Sequence, residues 1–379
     1  MNLQEDFDVI VVGGGLAGLT SALHLSKSGI KVLIIEKQLY PFHKVCGEYV
    51  SNEVLPYINS LGFDPFQFDA KKIERLILST PSSKYIESKL DLGGFGLSRY
   101  TMDHELSKLA VSYGATLLND VVIQIDFKSV FTVHTKSKDL FRAKVVLGTF
   151  GKRSNLDLKL KRRFIQKDSP YLAVKSHFRG HFPKDLVGLH NFEGGYCGVS
   201  NIEKNKLNIC YIADYKIFKL YRNTEEFEEQ VVKKNFFLKE IFDQSDLLFK
   251  KPLAISQISF DQKSVVKNHI LMCGDSAGLI HPLCGNGMGI AIHSAQIASN
   301  LIIQYLHEQI SRDTLEAEYM LQWEKAFQSR LKLGRNLAKI FRMKQFSEIS
   351  MVLLKMAPSV LNPVIQLTHG KPLKEYSGI

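Results

Sequence analysis

The sequence lacks the cysteine patterns that build metal sites and disulfide frameworks. Its 379 residues include five cysteines, and no two of them form a Cys-x-x-Cys pair. Structural zinc sites and small disulfide-bonded domains depend on such closely spaced cysteines. No serine, histidine and acid arrangement and no pair of carboxylates indicates hydrolase chemistry. We therefore expect a protein of a reducing, cytoplasmic compartment without a metal site.

Long hydrophobic runs and targeting signals are also lacking. The first residues carry acidic side chains and lead directly into a short apolar segment, unlike the basic start of a signal peptide. The apolar segment 351–356 contains Lys355 and is closed by Pro358. It is far shorter than the roughly 20 residues that span a bilayer. The sequence therefore predicts neither secretion nor a membrane-spanning helix.

Acidic residues are outnumbered, 38 against 49 lysines and arginines, which gives a formal charge of +11. The basic residues are scattered and not interleaved with aromatic side chains, so we expect no nucleic acid partner. One group near the C-terminus has helix-like spacing among apolar residues. It fits either a solvated helix face or a contact with the inner membrane surface or a lipid carrier. The group consists of Lys325, Arg330, Lys332, Arg335, Lys339, Arg342 and Lys344.

A glycine-rich motif follows the first apolar segment. Gly13, Gly15 and Gly18 form Gly-x-Gly-x-x-Gly between a predicted strand and a predicted helix, the context that makes this pattern specific for a dinucleotide. The glycines allow a tight turn and a close approach of a pyrophosphate to the helix start. Glu36 ends the next strand, where a carboxylate can bind ribose hydroxyls. The residues predicted to bind this end of the cofactor are Gly13, Gly15, Leu16, Ala17, Gly18, Glu36 and Lys37.

A second glycine-rich stretch predicts the other end of the cofactor site. Residues 269–273 form a short apolar segment, and Asp275 stands directly after it, where it can bind ribityl hydroxyls. A loop at residues 282–289 then opens a long apolar helix. Its scarcity of bulky side chains lets the backbone lie against a flat ring, and the start of the helix is positive. We expect both stretches to close around one FAD.

These motifs as an ordered set resemble a large family of FAD enzymes that includes geranylgeranyl reductases, aromatic-ring hydroxylases and flavin halogenases. The matching segments are residues 13–18 with Glu36, residues 146–154 and residues 274–289. Lys-Val-Cys-Gly-Glu at residues 44–48 and the segment 277–287 are closer to the geranylgeranyl reductase branch. Halogenases of the family carry paired tryptophans and a catalytic lysine, whereas this chain has one tryptophan. Halogenation is therefore discounted.

The resemblance implies a fold and a division of the chain. The expected class is α/β, with a Rossmann-like FAD-binding domain, an interleaved antiparallel-sheet substrate domain and a helical C-terminus. The expected FAD-binding parts are 1–70, 98–156 and 262–310, the substrate parts are 71–97 and 157–261, and the helical region is 311–379. One departure is Gly-Thr-Phe-Gly at residues 148–151, which lacks an acid that many family members have.

The resemblance also implies further site residues. Arg99 matches an arginine near the FAD pyrophosphate, and Cys46 and Cys284 fall in segments beside the flavin ring. We expect the two cysteines to face the substrate, with plain packing as the alternative. His281 is a candidate proton donor, as is His43. The remaining predicted cofactor contacts are Lys44, Cys46, Gly47, Gly274, Asp275, Pro282, Gly285, Gly287 and Met288. The antiparallel segment adds His177, His190 and Tyr196 as candidate pocket residues.

Two enzymatic functions agree with these features. The first is FAD-dependent reduction of a double bond in a bulky hydrophobic substrate of isoprenoid, lipid-like or polyketide type, with NAD(P)H as electron donor. The second is monooxygenation of a phenolic or lipid-like substrate. A remote third possibility is a non-catalytic flavin-containing module at a membrane surface or on RNA. The resemblance favours reduction, but one fold serves both reactions.

Overall fold

The computed structural model describes residues 3–342 and 344–378. The strands are β1 Leu3–Val12, β2 Val32–Glu36, β3 Tyr49–Ser51, β4 Lys71–Ser79, β5 Tyr85–Gly96, β6 Thr116–Asn119, β7 Val122–Phe127, β8 Phe131–Thr135, β9 Leu140–Gly148, β10 Tyr171–Arg179, β11 Leu186–Phe192, β12 Gly195–Ile202, β13 Lys206–Asp214, β14 Asp246–Leu247, β15 Leu253–Ser256, β16 Val266–Lys267 and β17 Ile270–Met272. The helices are α1 Leu16–Lys27, α2 Leu55–Ser60, α3 Arg99–Ser112, α4 Asn155–Lys159, α5 Tyr215–Phe218, α6 Thr224–Gln230, α7 Phe236–Asp243, α8 Gly287–Leu306, α9 Arg312–Arg342, α10 Lys344–Met356 and α11 Leu361–Thr368.

The first sheet has the strand order β16-β17-β9-β1-β2-β6, and its inner strands are parallel. Every residue of β2 is buried, as expected of a parallel strand covered on both faces. The order β1, α1, β2 is the βαβ unit that the glycine motif predicted. An antiparallel pair, β7 and β8, extends from β9. The predicted Rossmann-like half of the fold is therefore confirmed.

The second sheet has the order β14-β10-β13-β12-β11-β4-β5-β3. Its pairs are antiparallel except β4 with β11, and β15 pairs with the outer side of β10. The strands come from two stretches of chain, which alternate with the three stretches of the first sheet, so the two halves interleave as predicted. The position of β3 differs from the predicted boundaries. It falls within residues 1–70, yet Val50 pairs with Phe95 of β5 in the second sheet.

The C-terminal helices pack onto the first half of the fold. Helix α8 contacts α1, and α9 lies across α8 with a buried row at four-residue spacing. That row consists of Leu315, Tyr319, Trp323, Phe327 and Leu331. Pro363 lies in the first turn of α11, where a missing N–H costs no hydrogen bond.

None of the described helices is by itself long and apolar enough to cross a membrane. Two segments, Ser347–Met356 and Leu361–Thr368, reach the required apolar length only when taken together, and they are bent by 118°.

Candidate active site

One cavity of about 780 Å³ runs between the two sheets and joins the two predicted halves of the cofactor site. Gly13, Gly15 and Glu36 line one part of it, and Gly274 and Asp275 line another. The structure thus brings together residues that are more than 230 positions apart in the sequence. The further predicted contacts on its wall are Leu16, Ala17, Lys37, Lys44, Cys46, Gly47, Arg99, Pro282, Gly285, Gly287 and Met288.

The glycine turn leaves no space for side chains where the chain packs on itself. Gly13 has a φ of +105°, and a Cβ there would lie 2.6 Å from the carbonyl oxygen of Thr149. A Cβ on Gly18 would lie 2.2 Å from the carbonyl oxygen of Gly13, so Gly18 serves packing between helix and strand. At Gly15, by contrast, the nearest atoms are 3.9 Å away, and the space faces the cavity.

The first turn of α1 is open to an anion. Gly15 is its N-cap, and among the described residues no side chain caps the helix and no acid stands in its first turn. Free amide groups at a helix start attract phosphate through hydrogen bonds and the helix dipole. Glu36 lies beside this turn and accepts hydrogen bonds from Gly14 N at 2.7 Å and Gln38 N at 3.1 Å. Its carboxylate has further lone pairs for a ribose, because each oxygen accepts two bonds.

Two cations flank the turn. The guanidinium of Arg99 donates to both oxygens of Asp103 at 2.7 Å, and Lys44 Nζ donates to Asp103 at 2.8 Å. Burial would raise the pKa of Asp103, but Arg99 and Lys44 hold it below its usual value. One anion between two cations leaves a net positive charge close to Gly15. Arg99 therefore lies beside the glycine turn, and its contact with a pyrophosphate stays a prediction.

The loop at residues 274–289, which we call the flavin loop, depends on a glycine and leads into a helix without a side-chain cap. Gly274 has a φ of +59°, and a Cβ there would lie 3.1 Å from Cβ of Ala17 in α1. Its N–H donates to Ser294 Oγ at 2.9 Å. Helix α8 follows Asn286, and within the described chain no side chain caps it. Both long helices of the site, α1 and α8, therefore begin with free amide groups at the same cavity.

Two buried cations fix the carbonyl groups of this loop, and sequence reasoning missed both. Lys263 Nζ donates to the carbonyl oxygens of Asp275 at 2.7 Å and Lys152 at 2.9 Å. Burial lowers the pKa of Lys263 to about 8. Arg162 donates to the carbonyl of Ser276 at 2.8 Å and pairs with Asp157. The sequence offered no signal for them, because neither lies in a recognised motif.

A buried ionic cluster supports the loop that carries Cys46. Glu48 accepts hydrogen bonds from Lys175 Nζ at 2.6 Å, from His177 Nε2 at 2.7 Å and from the backbone N of Arg99 at 2.8 Å. Burial alone would raise the pKa of Glu48, but Lys175 and His177 lower it to about 2. The cluster joins β10 of the second sheet to the start of α3. It therefore holds the two halves of the fold together beside the cavity.

The residues predicted to take part in chemistry fall in different places. Cys46 and Cys284 both line the cavity, and Cys46 Sγ lies 3.4 Å from Sδ of Met288. Burial raises the pKa of the Cys284 thiol to about 12, so it stays protonated at neutral pH. Among the described residues, His43 lines the cavity and His281 does not.

The side chain of His281 contacts other parts of the protein and does not line the cavity. Its Nδ1 accepts the N–H of Leu283 at 3.4 Å as the cap of a single helical turn, and Phe260 packs against its ring. Burial lowers its pKa to about 4, so the ring is neutral at neutral pH. Of the other histidines considered, His177 joins the Glu48 cluster and His190 bonds to Ser79 at 2.9 Å. Tyr196 does line the cavity.

The part of the cavity that lies against the second sheet is largely apolar, and we call it the chamber. Its walls come from sheet strands and from α11, whose contribution sequence reasoning missed. The chamber residues, as we call them, are Leu76, Ala173, Val187, Leu189, Tyr196, Gly198, Ile212 and Ile365. Thr368 and His369 stand at the end of α11 on the same wall.

The basic group near the C-terminus does not form one exposed face. Lys325 and Lys332 are exposed, but Arg330 turns inward to within 3.6 Å of the buried carboxylate of Glu53. Lys339, Arg342 and Lys344 lie outside the residues whose side chains the structure describes. Among the described residues, no group of three His, Cys, Asp or Glu side chains could hold a metal ion.

The arrangement fits FAD. Gly47 and Gly151 line the cavity, and no described atom lies within 4 Å of where a Cβ would stand on either. Bare backbone thus borders open space between the turn at Gly13 and the loop at Gly274. A ribose would meet a carboxylate, a pyrophosphate would meet cations and helix amides, and a flat ring would meet bare backbone.

Comparisons with known proteins agree with this site. Residues 8–44 match the family model described as FAD dependent oxidoreductase. Digeranylgeranylglycerophospholipid reductase 1 of Methanopyrus kandleri is 24% identical over 369 residues, covering 91% of this chain and 93% of the relative.

Two solved structures share the fold. The flavin-dependent brominase Bmp2 has a TM-score of 0.79 at 16% identity, covering 96% of this chain and 93% of its own. A geranylgeranyl bacteriochlorophyll reductase-like protein from Thermoplasma acidophilum has a TM-score of 0.73 at 18% identity, covering 97% and 92%. The nucleotide motif, the fold and these relatives together identify the chain as an FAD-dependent oxidoreductase.

Proposed function

We propose that the protein reduces a carbon–carbon double bond in a bulky hydrophobic substrate of isoprenoid or lipid-like type. The observation that carries the proposal is the continuity of one cavity from the turn at Gly13 to the chamber residues. A substrate in the chamber would meet the ring end of a cofactor held by the turn. The name of the relative from Methanopyrus kandleri supports an isoprenoid lipid as the substrate class.

The chain's own residues would position the cofactor and the substrate. Arg99, Lys44 and the start of α1 would hold the pyrophosphate, and Glu36 would hold the adenosine ribose. The flavin, when reduced, supplies the hydride, and we propose NAD(P)H as the source of its electrons. The amide groups at the start of α8 would favour negative charge on the reduced ring.

The substrate site selects by shape and by exclusion of water. The chamber residues have no charged side chain among them, so a charged substrate would lose its hydration without compensation. An apolar chain would gain roughly 0.8 kcal/mol for each buried methylene group. The proposal therefore predicts a preference for long apolar substrates over short or charged analogues.

Proton delivery is the second requirement of double-bond reduction. Cys46 and Cys284 lie on the cavity wall as thiols able to carry a proton, and we propose that at least one contacts the substrate. Cys46→Ala and Cys284→Ala would be compared for two rates, flavin reduction by the donor and substrate reduction by prereduced enzyme. A role in proton delivery slows only the second rate. Unchanged turnover in both variants would remove the cysteines from the mechanism.

The decisive experiment measures the product under anaerobic conditions. Enzyme reduced chemically and mixed with an isoprenoid lipid should yield a product heavier by two hydrogen atoms, without oxygen. Enzyme without reductant is the control. A product that forms only with oxygen and gains one oxygen atom would contradict reduction.

That second outcome corresponds to the alternative, monooxygenation of a phenolic or lipid-like substrate. Tyr196 and His369 on the cavity wall favour it, because their polar atoms could orient a phenol hydroxyl. The alternative predicts NAD(P)H oxidation that requires both oxygen and the phenol.

A further inference from the structure

The C-terminal helices expose an unusual amount of apolar surface. On α10, Ile349, Val352, Leu353 and Met356 are exposed at spacings of three and four residues, which places them along one face of the helix. Val360, just before α11, and Leu367 within it are also exposed. We call these six side chains the apolar face. Apolar residues gathered in this way mark an interaction surface, whereas single exposed ones do not.

The opposite side of the same helices is part of the protein core. Met351 and Leu361 are buried against Leu78 and Ile86 of the second sheet. Ile365 lines the chamber itself. At α11, therefore, one layer of helix separates the exposed side chains from the chamber. An apolar molecule at the exposed side of α11 is separated from the chamber only by this layer of helix.

The segment that carries the apolar face contributes only basic charge, although Asp91 of β5 contacts Gln366 of α11 and Glu348 directly precedes Ile349. From residue 349 to residue 371 the sequence contains no aspartate or glutamate, and its lysines, Lys355 and Lys371, are both exposed. A face of this kind suits a bilayer whose headgroups are anionic, because apolar side chains enter the acyl boundary while lysines stay at the headgroups.

We propose that the apolar face docks the protein on the surface of a bilayer that contains anionic lipid, with α10 and α11 lying in the interface. The bend of 118° between the two segments gives two short arms on the surface, and neither arm is long enough to cross. The docked protein takes its apolar substrate from the bilayer past α11. This delivery role rests on the proposed function, whereas docking itself does not.

The test of docking is flotation with vesicles of phosphatidylcholine, with and without phosphatidylglycerol. The double variant L353Q/M356Q removes the two most exposed side chains of α10, which are 60% and 78% exposed. We expect its binding to fall by about tenfold or more, given the free energy of burying two such side chains. The matched control is L158Q/L220Q, which changes side chains that are 57% and 78% exposed elsewhere on the protein.

A second pair of variants separates charge from apolar contact. K355E/K371E should bind both kinds of vesicle equally, because the lysines confer the preference for phosphatidylglycerol. FAD content and circular dichroism establish that each variant is folded. Wild-type protein that floats with neither vesicle would overturn the proposal, as would equal losses in L353Q/M356Q and the control.

Two further outcomes have defined meanings. If wild-type protein is a dimer in sedimentation that L353Q/M356Q converts to a monomer, and it does not float, a second copy covers the face and the proposal is wrong. If the protein floats but reduces no lipid in vesicles or in detergent, docking stands and the proposed function fails. If it reduces lipid in detergent only, delivery from the bilayer fails.

Discussion

The two ends of the cavity are built in different ways. The nucleotide end is built around one short stretch, residues 13–36, joined by Lys44 and Arg99, and acts mainly through backbone groups and a few charged side chains. The chamber end comes from β4, β10 to β13 and α11, and acts through side chains. Backbone geometry at the first end permits few alternatives, because a Cβ at Gly13 or Gly18 would clash with main-chain atoms.

This difference indicates how each end can change. Substitutions of the tightly packed glycines in the turn should abolish cofactor binding, because a rigid turn cannot adjust. Substitutions in the chamber should alter which substrate binds while FAD stays in place, because apolar walls tolerate changes of volume.

The largest expected effect is at Gly13. Gly13→Ala adds a Cβ at 2.6 Å from the Thr149 carbonyl oxygen on a backbone with φ of +105°. We expect a loss of about 3 kcal/mol or more in unfolding free energy and loss of bound FAD. Denaturant unfolding and the ratio of flavin to protein absorbance measure both effects.

Gly29→Ala is the matched control for Gly13→Ala. Its φ is +75°, but no described atom lies within 4 Å of the added Cβ. It should cost roughly 1–2 kcal/mol from backbone strain and keep its FAD. If both variants retain FAD equally, close packing of the turn is not what the cofactor requires.

Arg99→Gln should have the next largest effect. It removes the guanidinium near Gly15 while Lys44 still pairs with Asp103. The dissociation constant of FAD should rise by about 10-fold to 100-fold, the range for loss of a charged hydrogen bond. Titration of apoprotein with FAD, followed by flavin fluorescence, measures it. Lys108→Gln on the exposed side of α3 is the control, and equal constants for the two variants would contradict the assignment.

The same difference explains what the sequence could and could not predict. Gly13, Gly15 and Glu36 could be predicted to lie at one site because a local motif places them within one βαβ unit. Asp275 was identifiable because a strand end and a glycine loop surround it. Lys263 and Arg162 escaped prediction because they reach the flavin loop only through tertiary contacts.

The chamber residues show more clearly what the sequence alone does not predict. Ile365 and Leu189 are 176 positions apart and share a wall only after α11 packs on the second sheet. His281 shows a second limit, since its place beside a glycine loop suggested chemistry and its contacts in the structure are with other parts of the protein. The sequence of a loop does not show which way a side chain points, and the side chain of His281 caps a helical turn. Its catalytic role stays a prediction that the geometry does not favour.

A change in the chamber should give a smaller effect, confined to the substrate. A Cβ on Gly198 would make ordinary contacts, 3.6 Å from the Cys210 carbonyl oxygen and 3.9 Å from Leu189. Gly198→Phe should therefore fold, bind FAD normally and place a ring in the chamber. We expect KM for a long apolar substrate to rise about tenfold. Gly198→Ala is the control with little added volume. Loss of FAD in Gly198→Phe would show that the two ends are not separable.

The smallest effect on turnover is expected at His281. His281→Asn keeps an acceptor for the Leu283 N–H, so turnover should stay within about twofold of wild type. Stability should change with pH in a defined direction. Burial lowers the pKa of His281 from its ordinary 6.5 to about 4, so the unfolded chain takes up the proton first as the pH falls.

In wild type this linkage removes stability between pH 6.5 and about 4, by about 3 kcal/mol at most for this one group. His281→Asn lacks the titrating ring, so its unfolding free energy should fall less steeply over the same pH window. Denaturant unfolding across that window measures the slopes. A large loss of substrate reduction by prereduced His281→Asn, with an unchanged slope, would instead return His281 to the mechanism. A residue next to the glycine-rich loop would then take part in the reaction at the chamber as well as in the structure of the loop.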